Sequence, residues 1–170
     1  MALELNGTTG VSLVQDGVVT AADLASGAIT SAALPTGSVL QVINNSNSSQ
    51  ISTTSGTFVE TGLSLSITPS STSSKIVLYF VSNARKTTAN TGAVFAIYKD
   101  GSQLTNGNGQ LMFETDNGNN HGPMVLHQVD SPATTDSITY DIRYYAFNGG
   151  TTYMSGNWGG NHLTAMEIAG

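Results

Sequence analysis

From Val39 to Ile168 the sequence is a succession of short runs rich in Val, Ile, Thr, Tyr and Phe, with turn residues between them. The runs are Val39–Ile43, Thr57–Ile67, Lys75–Ser82, Ala93–Lys99, Gly109–Glu114, Pro123–Val129, Ser137–Phe147, Thr151–Ser155 and His162–Ile168. Such residues suit a pleated backbone, and no stretch carries the apolar stripe of a long helix. Asp100-Gly101 and Asn148-Gly149-Gly150 sit between runs as tight hairpin signals. Strands at this spacing predict an all-β fold, an antiparallel jelly roll or β-sandwich, over residues 38–170.

The faces of the runs carry the first functional signal. Leu63, Leu65 and Ile67 alternate with Ser64 and Ser66, as in a half-buried strand. Ile76-Val77-Leu78-Tyr79-Phe80-Val81 does not alternate, and neither does Val94-Phe95-Ala96-Ile97-Tyr98. An antiparallel sandwich strand should show one polar face to water. Two-sided apolar strands imply that something covers the outer face. A neighbouring subunit would do so, and its contacts are expected at Val77, Tyr79, Val81, Phe95 and Ile97; the alternative cover is the chain's own loops. Charge supports self-association. Only 9% of residues are charged, against about 25% in an ordinary soluble domain. On a symmetry axis any charge meets its own image, so a self-contacting surface is poor in charge.

Residues 1–37 read differently. Gly17-Val18-Val19-Thr20-Ala21-Ala22-Asp23-Leu24 aligns with Gly27-Ala28-Ile29-Thr30-Ser31-Ala32-Ala33-Leu34, and glycines at 7, 17, 27 and 37 keep the same beat. A regular beat in so short a stretch means one structural unit is reused. A lone chain cannot bury such sparse apolar points. Several chains wrapped about one axis can, with Val19, Leu24, Ile29 and Leu34 at the shared interface. The expectation is a slender stem shared between protomers; the alternative is a flexible Ala/Gly/Ser linker.

Several classes of function are disfavoured. Five basic residues leave no electrostatic footprint for nucleic acid. Cysteine is absent, which removes disulfides, thiol catalysis and Cys-based zinc sites. No apolar run approaches the roughly 18 to 20 residues that cross a bilayer as a helix, and MALELNGTTG has no signal-peptide pattern. No catalytic constellation and no cofactor motif stand out. Asp116-Asn117-Gly118-Asn119-Asn120-His121-Gly122 lacks the third-position ligand and distal Glu of a calcium loop. His127 shares a strand face with Val125 and Val129, and His162 with Thr164, Met166 and Ile168. No metal site is assigned, although an axial His from each of three chains could form one. Asn120, His121, Tyr153, Asn157 and Trp158 lie in polar, aromatic loops that could form a glycan-binding rim. The competing role for Trp158 is a plug at the end of the sandwich.

The text DGVVTAADLASGAITSAALPTGSVLQV resembles the N-terminal parts of bacteriophage fibre proteins, especially those of cyanobacterial and marine phages. The ending His162-Leu163-Thr164-Ala165-Met166-Glu167-Ile168-Ala169 is similar to the last strand of their C-terminal knobs, and Leu65-Ser66-Ile67-Thr68-Pro69 through Ser74-Lys75-Ile76 fits as well. Such knobs resemble the jelly-roll trimers of the tumour-necrosis-factor and complement-head type. The resemblance implies a non-enzymatic homotrimer on the surface of a virion. Its N-terminal segment, with Leu3 and Leu5 as apolar pegs, would mount on other virion proteins. Its knob would project toward host surface glycans. With one stem, one knob and no middle shaft, the chain also admits a capsid decoration or cement protein or a head fibre.

Overall fold

The computed structural model describes residues 33–105, 107–113, 118–155 and 159–170, and one compact unit spans Pro35–Gly170. Eleven strands build it: β1 Val39–Asn47, β2 Gln50–Thr53, β3 Val59–Ile67, β4 Lys75–Lys86, β5 Gly92–Lys99, β6 Ser102–Gln103, β7 Gln110–Phe113, β8 Asn120–Asp130, β9 Ile138–Phe147, β10 Thr152–Ser155 and β11 Asn161–Ile168. All the expected runs are strands. Two more, β2 and β6, are too short to show a period in the sequence.

The pairing defines two antiparallel sheets. β4 takes β11 on one edge and β8 on the other, β1 flanks β11, and β10 with β2 extends the far end. The second sheet runs β3-β9-β5, with β7 and the short β6 also on β5. Successive long strands thus alternate between sheets, β1-β11-β4-β8 facing β3-β9-β5-β7, which is the jelly-roll arrangement. The Asp100-Gly101 hairpin forms as read: both residues have positive φ (47° and 80°), the geometry that matches the twist of β5 and β6.

Between the sheets lies one apolar core. Ile76, Leu78 and Phe80 of β4, Leu163 and Ala165 of β11 and Met124 and Leu126 of β8 face Leu63, Leu65, Ile67, Phe95, Ile97, Tyr140, Ile142 and Tyr144. Phe95 stacks between Phe80 and Tyr144, with ring centroids 5.7 and 5.6 Å away.

This corrects the expectation for β5. Phe95 and Ile97 are fully buried inside the chain's own core, so neither can meet a neighbouring subunit. The outer face of β5 is covered too, by its own chain. Phe58 packs edge-on to Tyr98 and Tyr145, at 5.6 and 4.8 Å. The Arg143 guanidinium lies 4.3 Å above the Tyr98 ring. Gly109 comes so close that a Cβ there would sit 2.5 Å from the Phe95 carbonyl oxygen and 3.1 Å from Val94 Cγ1. The loop cover therefore accounts for the second apolar face of β5.

Polar clamps close one end of the sandwich. Asp130 Oδ2 accepts from Tyr140 Oη (2.7 Å) and pairs with Lys99 Nζ (2.9 Å), joining β8 to both β9 and β5. Burial, and then the Asp130 carboxylate, push the Tyr140 phenol upward, so it stays a donor. Beside it, buried Glu167 accepts from Ser70 N and Oγ and Ser74 Oγ (2.7 Å each) and from Gln41 Nε2 (2.6 Å). Burial raises this carboxyl, but the hydrogen bonds outweigh it and hold it below the usual carboxylate range. A depressed carboxyl stabilises the fold above that range and loses its contribution as pH falls through the lowered value. Glu167→Gln is expected to cost about 1–3 kcal/mol near neutral pH, because one donor cluster loses its acceptor. The variant should also lose less stability than the parent below about pH 4, as followed by chemical denaturation across pH.

Candidate functional site

The outer face of the β1-β11-β4-β8 sheet is not covered by any described element. Strand register sets its side chains in rows. Val42, Met166, Val77 and Val129 form one row; Asn44, Thr164, Tyr79 and His127 the next; Ser46, His162, Val81 and Val125 a third. Val42 is 59% exposed, Val125 55%, Val129 44%, Val81 43% and Tyr79 40%. A band of exposed β-branched and aromatic side chains on β1, β4 and β8 is the kind of patch that marks an interaction surface.

Of the five expected knob contacts, Val77, Tyr79 and Val81 lie on this face, and Phe95 and Ile97 do not. β8 adds what the sequence reading left out: Val125 and Val129 stand beside β4 in register. β8 is paired through β4 alone among the described strands, so its other edge borders the face. Around that edge, Gln110, Leu111 and Met112 of β7 and Pro123, Met124 and Val125 of β8 line a groove of about 400 Å³.

The face also has an unusual charge pattern. Among the described acids, Glu60 and Asp141 belong to the opposite sheet, Asp100 and Asp136 to turns, and Asp130 and Glu167 point inward. None lies on this face, yet all three histidines of the chain do. The His127 ring lies 4.7 Å from that of Tyr79, and His162 Nε2 is 3.1 Å from the Gly159 carbonyl oxygen.

At the far end of the same sheet, register aligns Ser52, Tyr153, Arg85 and His121. The Arg85 guanidinium lies 4.8 Å above the Tyr153 ring, and its Nε donates to Asn119 Oδ1 (2.9 Å). Asn120 is half-buried, and its Oδ1 accepts from the His121 backbone (2.7 Å). Two expected rim residues, His121 and Tyr153, thus flank Arg85. Asn157 and Trp158 lie outside the described residues, as do Leu3, Leu5, Val19, Leu24 and Ile29. Leu34 is described and is 37% exposed. Among the described residues no three His, Asp or Glu side chains converge as metal ligands.

No protein-family model matches the sequence, and no curated protein matches it. Solved structures with a distant likeness to the chain include the following two. One is a structure of the Gt strain of infectious bursal disease virus, at 17% identity and a TM-score of 0.35. The other is the structure of T=1 particles derived from infectious bursal virus, at 17% identity and a TM-score of 0.33. Each match covers 76% of this chain, and this chain spans only 38% and 36% of theirs.

Proposed function

We propose that this chain is a non-enzymatic structural protein of a virion, a short homotrimeric phage fibre or spike. Residues 1–37 mount it on the particle through capsid or tail proteins and form a shared stem, and the jelly roll projects as a knob. The single observation that carries the reading is the apolar sheet face centred on Tyr79 and Val81, on which no described carboxylate lies. A second copy is the occupant, because the three central rows hold no Lys, Arg, Asp or Glu, and a surface that meets its own image is poor in charge. With strands about 4.8 Å apart and rows about 6.8 Å apart, the face spans roughly 400–500 Å². A stable pair buries about 800 Å² per partner, so the stem must supply the remainder. Three knobs on one stem bind repeated surface ligands with avidity, and the Arg85–Tyr153–His121 row is the natural place for host glycan.

Removing residues 1–34 is expected to leave a folded knob, since the compact unit begins at Pro35, that assembles more weakly and is missing from particles. Retention in purified virions would refute the anchor. Copy number decides between fibre and shell: a few trimers per particle, counted against the major capsid protein, fit a fibre or spike. Hundreds would instead identify a decoration protein.

A further inference from the structure

We infer that contact between copies through this face is proton-gated: His127, at the β8 end of its middle row, releases the partner copy when it takes up a proton. The inference rests on the reading of the face as the self-contact surface. Imidazole gains its charge between about pH 8 and 5, a range in which no other ordinary side chain titrates. Neutral His127 suits the surface it occupies, its ring tilted 36° to that of Tyr79 and flanked by Val125 and Val129 on its own strand and by Val77 and Val81 diagonally across β4. The imidazolium does not. Every charged or titratable group on the described part of this face is cationic or neutral: Lys75, Arg85 and Tyr79 on β4, His121 on β8, His162 on β11 and Tyr153 on β10. Among the described residues no carboxylate is there to accept a hydrogen bond from the imidazolium, although the chain as a whole carries a net charge of −6.

The three histidines differ in their suitability. His162 already contacts the Gly159 carbonyl oxygen, and His121 lies beside Arg85 at the end of the sheet. His127 sits in the middle row on β8, between the exposed Val125 and Val129, where a covering copy removes water from the imidazole and the valines together. Self-contact then removes solvation from a new positive charge and, about a threefold axis, brings three of them together. If assembly makes each imidazole tenfold harder to protonate, three sites compound to about a thousandfold weakening of the trimer in acid.

The test is the mass of the full-length protein at micromolar concentration, by sedimentation velocity at about pH 8 and about pH 5.5, with far-UV circular dichroism to confirm folding. The expected result is a trimer at the higher pH, a folded single-chain species at the lower, and a trimer at both for His127→Gln. His127→Leu, which keeps the face apolar, replaces the Gln variant should that one fail to assemble. A parent trimer that persists folded at the lower pH overturns the gate while leaving the trimer in place. Acid dissociation that survives in both His127 variants overturns the assignment to His127. A single-chain species already at the higher pH overturns the self-contact reading itself, and the gate with it.

Discussion

Val81→Asp is expected to turn the assembled protein into a folded single-chain species. Val81 is 43% exposed in the isolated knob, so an aspartate there stays in water and disturbs no core contact. Ile76, Leu78 and Phe80, which point the other way from the same strand, keep their packing. In the assembly the same carboxylate would lie between copies, beside Val125 on one side and His162 on the other. An uncompensated charge buried at an interface costs about 3–5 kcal/mol, and about 1.4 kcal/mol is a tenfold change in an equilibrium constant. The contact should weaken by roughly a hundredfold to a few thousandfold. Sedimentation velocity reads the mass, and thermal unfolding shows whether the knob is intact. Ser102→Asp, in the exposed β5–β6 hairpin, adds the same charge elsewhere and should leave the mass unchanged. An unchanged mass for Val81→Asp would show that copies do not meet through this face.

The sequence reveals the strands better than their partners. Runs of β-branched and aromatic residues, with turn chemistry between them, find every long strand because both signals are local. β8 is longer than its pattern, since Asn120, His121 and Gly122 have little strand preference of their own and are held by pairing with Lys86, Arg85 and Ala84. The two-sided apolar character of β4 and β5 is equally visible in both, yet it has opposite causes. On β5 the cover comes from Phe58, Arg143 and the Gly109 backbone, residues far away in the chain. On β4 no described element covers Tyr79 and Val81. Distinguishing the two requires the tertiary fold. The same holds for the Tyr153–Arg85–His121 row and for Glu167: each joins residues from separate strands or loops, and only strand register or loop closure brings them together.

Phe95→Ala tests the same distinction from the inside. The ring fills the space between Phe80 and Tyr144, and the residue has no exposed surface. Truncation removes two ring contacts and leaves a cavity that a rigid two-sheet core can only partly close, at a cost of about 3–5 kcal/mol. That is a large share of the roughly 5–15 kcal/mol that holds a domain of this size, and it corresponds to a drop of about 10–20 °C in melting temperature. The measurement belongs in the Val81→Asp background, because unfolding coupled to assembly mixes the two effects. If Phe95 acts only through the core, its loss destabilises the single-chain species as much as the trimer. Had Phe95 supported contact between copies, its truncation would cost little once the copies are apart. A drop of less than about 1 kcal/mol in that background would therefore restore Phe95 to the interface and undo the division of labour between β4 and β5.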